Sequence, residues 1–149
     1  MNYGQYILFN GQIITLADDI NLSGYKPYKA CFLGKIFTFT RGQGWKKFYE
    51  TIVGELYKIN PEILRGEAEV GYECFLANEP VVWGYFYFGN TNDARFSSFA
   101  KNYEDNWWTR IADDVFLYTK NNTNKKIEHL RELFDWYKIK YEELTIYLY

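Results

Sequence analysis

Side chains that carry familiar catalytic chemistry are scarce in this sequence. Its 149 residues include one histidine, His129, and two cysteines, Cys31 and Cys74. A single histidine excludes hydrolases that use two histidine-bearing motifs, and no Ser-His-Asp, Cys-His or histidine-rich metal spacing accompanies it. Two cysteines this far apart form neither a disulfide framework nor a metal motif. We therefore expect no metal site, no cofactor, no catalytic residues among the familiar classes, and two buried free thiols.

Long apolar runs are also lacking. No stretch approaches the ~18 consecutive apolar residues from which a membrane-spanning helix is built. The first residues, MNYGQYILFNGQ, contain no basic leader and no extended apolar region, so a signal peptide is not expected. The sequence therefore predicts a cytoplasmic protein that makes no use of a membrane.

Aromatic residues, in contrast, are abundant. Fifteen tyrosines, twelve phenylalanines and five tryptophans make up 21% of the chain. Each ring can bury ~150–250 Å², and tyrosine and tryptophan keep a polar tip that suits them to interfaces. Part of the aromatic set is therefore expected at the surface, where it favours binding of a partner.

The charge is small overall but unevenly distributed. A net charge of −2 gives no general attraction to nucleic acid or to anionic membranes. Residues 21–49 nevertheless contain six bases and no acid, whereas residues 50–115 contain twelve acids against five bases. This distribution favours one basic and one acidic patch on the same molecule.

Hydrophobic patterns predict an α+β fold. Helices are predicted from about Trp45 to Asn60, from Asp93 to Tyr103, and from a cap at Thr123 to about Glu143. Strands are predicted within residues 6–16 (a hairpin at Asn10-Gly11), 28–40 (broken or bulged at Gly34), 68–76, 81–89, 107–119 (a hairpin) and 144–149. Because strands and helices do not alternate regularly, we predict a single domain over residues 1–149. It would contain a mainly antiparallel sheet with two longer helices and one short helix packed on it.

The sequence at 40–47, TRGQGWKK, is the best candidate for a small-ligand site. Gly42 and Gly44 free the backbone ahead of a predicted helix N-terminus, whose N–H groups and dipole attract anions. Arg41, Lys46 and Lys47 add positive charge. The stretch matches neither the Walker loop nor the G-x-G-x-x-G fingerprint, and an ordinary strand-to-helix turn is the simpler interpretation.

The same basic region is rich in aromatic residues. Tyr25, Tyr28, Phe37, Phe39 and Trp45 are interleaved with the bases, a pattern that could stack nucleobases and contact phosphates. Alternating aromatic residues on a strand more often belong to a core, so nucleic acid or a nucleotide is the less favoured partner.

The stretch YEDNWWTRIADDVFLY at 103–118 is the candidate partner-binding surface. Trp107 and Trp108 face opposite sides if they lie on a strand, so one of them is exposed where only one face of the sheet is covered. Packing of both rings in a core is the alternative. The candidate partner-binding residues are Glu104, Asp105, Trp107, Trp108, Asp113 and Asp114.

Other polar residues favour ordinary structural roles. Asp18 and Asp19, like the second pair at 113–114, have no accompanying ligand motif and are predicted to be exposed turn acids. His129 falls off the apolar stripe of the last predicted helix and is expected to face water.

Two functions remain open from the sequence. The first is a small non-catalytic intracellular protein that blocks or sequesters a macromolecule with a basic surface, as an inhibitor, immunity or antitoxin-like factor does. The second is a phosphate- or nucleotide-binding domain, with or without enzymatic activity, that uses the turn at 40–47. A pocket at 41–47 would favour the second function, and a flat exposed surface with aromatic rings would favour the first.

Overall fold

The computed structural model describes residues 12–70, 76–77, 108–113 and 115–149. Its strands are β1 (Ile13–Thr15), β2 (Pro27–Phe32), β3 (Lys35–Thr38), β4 (Leu76–Ala77), β5 (Trp108–Ala112), β6 (Val115–Tyr118) and β7 (Leu144–Leu148). Its helices are α1 (Gly44–Ile59), α2 (Pro61–Val70) and α3 (Thr123–Tyr137), and a short 3-10 turn covers Tyr141–Glu143. The predicted Asn10-Gly11 turn, the strand at 81–89 and the helix at 93–103 lie outside the described residues.

The predicted α+β class is confirmed, and every described strand pair is antiparallel. The chain clusters into two compact units, one formed by Met1–Ile52 with Asn122–Tyr149 and the other by Val53–Asn121. The assignment of residues 1–149 to one domain stays a prediction. None of the helices within the described ranges is long and apolar enough to cross a membrane.

The first unit contains a four-stranded sheet in the order β1-β7-β2-β3. Its inward side chains are apolar and buried: Ile14, Ala30, Phe32, Leu144, Ile146 and Leu148. Helix α3 covers this face through Phe134, whose ring lies 5.3 Å from that of Phe32. The first half of α1 reaches it through Phe48, 5.9 Å from Phe39. Through these contacts the two helices and the sheet share one core. Burial of each such ring stabilises the fold by ~1.5–3 kcal/mol.

The start of α1 agrees with the sequence prediction. Trp45 and Phe48 are buried, and their rings meet edge-on at 5.3 Å. The Trp45 indole N–H donates to the Tyr25 carbonyl over 2.8 Å, which satisfies the one polar group of this side chain.

The residues after α1 correct a prediction. The sequence predicts a strand over 68–76, but residues 68–70 belong to helix α2. Leu76 does lie in a strand, Leu76–Ala77, and residues 71–75 lie outside the described residues. Proline is well tolerated at the first helical position, so Pro61 begins a helix as well as ending one. The Asn60 side-chain oxygen accepts the Glu62 N–H over 3.2 Å and so caps the new helix.

Helix α3 is shorter than predicted, and its cap is a different residue. The Asn122 side chain, not Thr123, accepts the Lys125 N–H over 2.8 Å. The helix ends at Tyr137 rather than near Glu143, because Lys138 takes a left-handed conformation with φ 58°. The Ile139 N–H then donates to the Phe134 carbonyl, which closes the last turn.

The second unit contains a three-stranded sheet in the order β4-β6-β5. The predicted hairpin around the Ala-Asp-Asp turn is confirmed as β5 and β6. Val115, Phe116 and Leu117 are buried, as are Leu64 on α2 and Leu76 on β4. This unit therefore has its own apolar core.

The break predicted at Gly34 is a complete reversal of the chain. Strands β2 and β3 pair as a hairpin around Leu33 and Gly34, which have φ angles of 49° and 82°. Two positive φ angles at the central positions are typical of a tight hairpin turn, for which Asn-Gly is preferred. Leucine is a poor residue for the first of these positions.

Replacement of this leucine should stabilise the protein. Leu33→Asn should raise the free energy of unfolding by up to ~1 kcal/mol, because asparagine tolerates the left-handed region better and the Leu33 side chain is already 45% exposed. Urea denaturation measures the change. Leu33→Ala is the control, since alanine keeps the Cβ in the unfavourable conformation. An asparagine variant no more stable than the alanine variant would contradict this account of the turn.

Candidate functional site

The outer face of the four-stranded sheet, opposite the helices, is the candidate site. Its outward positions form two rows across the strands. The first row is Ile13, Tyr147, Lys29 and Thr38, and the second is Thr15, Thr145, Cys31 and Ile36. Aromatic, aliphatic, hydroxyl and basic side chains thus lie side by side on a surface that alternation alone would have filled with polar residues.

A β-bulge adds one more tyrosine to this face. The register between β2 and β7 shifts between Pro27 and Lys29, so Tyr28 is the extra residue. A bulge changes the direction of a side chain, and here Tyr28 joins Lys29 on the outer side while Pro27 stays buried. The Tyr28 ring accordingly lies 6.1 Å from Tyr147 and 5.7 Å from Tyr149, measured between centroids.

Two cations lie against these rings. The Lys29 Nζ is 4.7 Å from the centroid of Tyr147, and the Arg41 Cζ is 4.9 Å from that of Tyr149. Such contacts contribute ~0.5–1 kcal/mol each at an exposed site and hold the cation beside the ring. We call this group the tyrosine face: Tyr28, Lys29, Arg41, Tyr147 and Tyr149.

The tyrosine face is accessible and has apolar neighbours. Its three tyrosines and Lys29 are half-buried, and Arg41 is exposed. Ile13 and Ile36, at either side of the sheet, are 66% and 62% exposed. Large exposed aliphatic side chains beside half-buried rings are typical of a contact surface rather than of a solvated sheet face.

The charge on this surface has one sign. Within the described strands of the first unit, no outward position carries an aspartate or a glutamate. The Asp18 carboxylate, which accepts the Thr15 N–H over 2.7 Å, lies past the end of β1 that is farther from Tyr149. The charged side chains of the tyrosine face, Lys29 and Arg41, are both positive.

The turn at 40–47 adjoins this face, and its basic side chains extend to different partners. Arg41 extends to Tyr149, whereas Lys46 lies 4.0 Å from Glu50 on its own helix. Gly44 has a left-handed φ of 56°, and a Cβ placed there would lie 3.8 Å from the Lys26 Nζ. Lys26 therefore stands beside the positive end of α1, where a cation is unfavourable and an anion is favoured. Gly42 and Lys47 are exposed in the same region.

The candidate acidic surface at 103–118 is described only in part. Trp108 is 1% exposed and contacts Tyr118 edge-on at 5.3 Å, so it is a core residue and not a direct contact for a partner. Asp113 is exposed in the hairpin turn. Glu104, Asp105, Trp107 and Asp114 lie outside the described residues, so a partner-binding role for them stays a prediction.

His129 does not face water as expected. It is half-buried, and its Nδ1 lies 3.2 Å from the Tyr49 hydroxyl. Burial, with Lys125 and Lys126 nearby and Glu128 opposing, lowers the pKa of His129 from 6.5 to about 4. Lys126 is 5% exposed beside the same Tyr49 ring, and burial lowers its pKa from 10.5 to about 8. The apolar periodicity of α3 could not predict this cluster, because the residue that covers His129, Tyr49, belongs to α1.

The remaining polar candidates have structural roles. Asp18 and Asp19 are exposed, as predicted for turn acids. Cys31 is a free thiol, as predicted, although half-buried on the outer sheet face rather than in the core; Cys74 lies outside the described residues. Across the described ranges, no three His, Cys, Asp or Glu side chains converge on a point where a metal ion could bind.

Comparison with known proteins gives no relative from which a site could be transferred. No family model matches the chain, and no match is found among curated proteins or solved structures. The geometry of the tyrosine face is therefore the basis for the function.

The sole histidine allows a direct test of the Tyr49–His129–Lys126 cluster. Its imidazole resonances in the folded protein should titrate near pH 4, because burial disfavours the charged ring. The unfolded chain binds this proton near pH 6.5, so the free energy of unfolding should decrease as the pH falls from 6.5 to 4. His129→Gln should remove this part of the pH dependence. A midpoint at or above 6.5 in the folded protein would contradict the buried position.

Proposed function

We propose that this protein is a binding protein that holds an anionic macromolecule on the tyrosine face. The proposal keeps the class expected from the sequence, a small protein that works by binding another macromolecule. It changes the surface and the sign of the partner's charge. The observation that carries it is the gathering of three half-buried tyrosines and two cations on the sheet face opposite α1 and α3, whose described outward positions carry no acidic side chain.

The electrostatics support an anionic partner. Lys29 and Arg41 lie over the Tyr147 and Tyr149 rings, which keeps both cations at the surface of the tyrosine face, where an anion can contact them. Lys26 and the N-terminus of α1 extend the positive region from Tyr149 towards Gly44. A partner is attracted by the local charge of the surface that it approaches, and here that charge is positive although the net charge of the chain is −2.

The alternative function, phosphate or nucleotide binding at 40–47, becomes part of the same proposal. Arg41 belongs both to that turn and to the tyrosine face, and Lys26 adds a second cation beside Gly44. The turn would then hold an anionic group of a longer partner. A separate basic partner for the acidic stretch at 103–118 stays a prediction.

Retention on immobilised heparin, a generic polyanion, tests the proposal. The double variant Lys29→Gln with Arg41→Gln should elute at lower salt than the wild type, because it removes the two cations of the face. The matched control is Lys125→Gln with Lys140→Gln, which removes two exposed charges outside the face. Equal shifts for both pairs would mean that only net charge matters. No retention of the wild type at low salt would also contradict the proposal.

A further inference from the structure

The arrangement of rings and cations narrows the class of the anionic partner. We propose, on the basis of the function proposed above, that the partner is a single-stranded nucleic acid. Its bases stack on Tyr28, Tyr147 and Tyr149 while Lys29 and Arg41 contact its phosphates. Sequence-tolerant recognition of single strands combines these two elements, aromatic platforms and a positive track along the backbone.

The first argument is the placement of the rings. The centroid distances of 6.1 Å and 5.7 Å make Tyr28 the middle member of a continuous aromatic strip that ends in Tyr147 and Tyr149. The rings are tilted against one another by 55° and 35°, so they are not stacked face to face on each other. A sheet face with two or three aromatic residues can accept splayed bases.

The second argument is the pairing of each cation with a ring. The Lys29 Nζ lies over the Tyr147 ring at 4.7 Å and the Arg41 Cζ over the Tyr149 ring at 4.9 Å. A base that stacks on either ring therefore takes the place of the cation, which then contacts the phosphate of the same nucleotide. The guanidinium of Arg41 is itself planar and can stack on a base. Aromatic contact and charge neutralisation therefore occur together at each position, as a nucleotide requires.

The third argument concerns the partners that fit less well. In a duplex the bases are stacked on one another. A duplex would therefore contact the two cations through its phosphates but could not place a base on a tyrosine ring. An acidic protein offers carboxylates but few planar surfaces, so it too would use the cations and not the tyrosines. Only a single strand uses both components of the tyrosine face.

The size of the face sets the length of strand that it binds. Four strands ~4.8 Å apart span ~14 Å from β1 to β3. The exposed side chains of Ile13 and Ile36 lie on the two outer strands. Three tyrosines within that width predict contact with two or three bases, with further phosphates reaching Lys26 near Gly44.

Fluorescence anisotropy with labelled oligonucleotides tests this inference. The probes are a twelve-nucleotide single strand of mixed sequence as RNA and as DNA, the corresponding duplex, an abasic strand of the same length, and poly-glutamate. The wild type should bind the single strand more tightly than the other three. Tyr147→Leu should weaken single-strand binding roughly fivefold to a hundredfold, the loss that follows removal of one stacked ring. It should leave binding to the abasic strand unchanged.

Matched variants separate stacking from folding and from charge. Tyr147→Phe keeps the ring and should retain single-strand binding. Tyr141→Leu removes a tyrosine outside the sheet face and should also retain it. Loss of Lys29 and Arg41 together should reduce the slope of log affinity against log salt by about 1.4, at ~0.7 per phosphate contact on a single strand. Thermal melting verifies that each variant is folded.

Each outcome decides between the two proposals. If the abasic strand, the duplex or poly-glutamate binds as tightly as the single strand, the inference is wrong and the polyanion function stands. If Tyr147→Phe loses affinity as Tyr147→Leu does, stacking is not the cause and the inference is also wrong. If no probe and no heparin binds, both proposals are wrong.

Discussion

Backbone pairing of β7 with both β1 and β2 is the constraint on which the rest of the first unit depends. It joins the last strand of the sequence to two of the first, with Tyr147 opposite both Ile13 and Lys29. On the inner side this pairing places Leu144, Ile146 and Leu148 in the core under α3. On the outer side it brings Tyr147 and Tyr149 next to Tyr28. The same hydrogen bonds thus build the hydrophobic core and the candidate site, so a change that weakens β7 should affect both.

The two faces of this sheet differ in what they contribute. The inner face is apolar and closed by Phe48 and Phe134, and it supplies the burial that stabilises the unit. The outer face leaves aliphatic and aromatic side chains in solvent, which adds little to stability and creates a surface suited to a partner. The bulge at Tyr28 shows the difference most clearly. A regular strand would alternate strictly, whereas the bulge places two consecutive side chains, an aromatic ring and a cation, on the outside.

Local patterns in the sequence were sufficient to predict the α+β class, most of α1, the β5–β6 hairpin and strand β7. They failed where a distant residue decides the outcome. His129 looks solvent-facing from the periodicity of α3 and is covered by Tyr49, which lies 80 positions earlier in the sequence. The tyrosine face combines residues from opposite ends of the chain, and nothing local links Tyr28 to Tyr147. Each segment does have an unusual composition of its own, since bases and aromatic residues alternate near Tyr28 and three tyrosines occur within the final nine residues. The sequence does not show that these two segments pair. Helix α2 was missed for a local reason: Pro61 was interpreted only as the end of α1.

The accessibility of Cys31 is the most direct measure of the central claim, that the outer sheet face is the binding surface. Its thiol lies in the row beside Thr145 and Ile36, next to the tyrosine face and not within it. The rate of alkylation at Cys31, followed by peptide mass spectrometry, can be compared with and without a saturating single strand. A cysteine introduced at the exposed position Glu132 on α3 serves as the reference. The account predicts that the strand slows alkylation at Cys31 and leaves the reference unchanged. A bound strand that leaves the Cys31 rate unchanged, or slows both thiols equally, would contradict it.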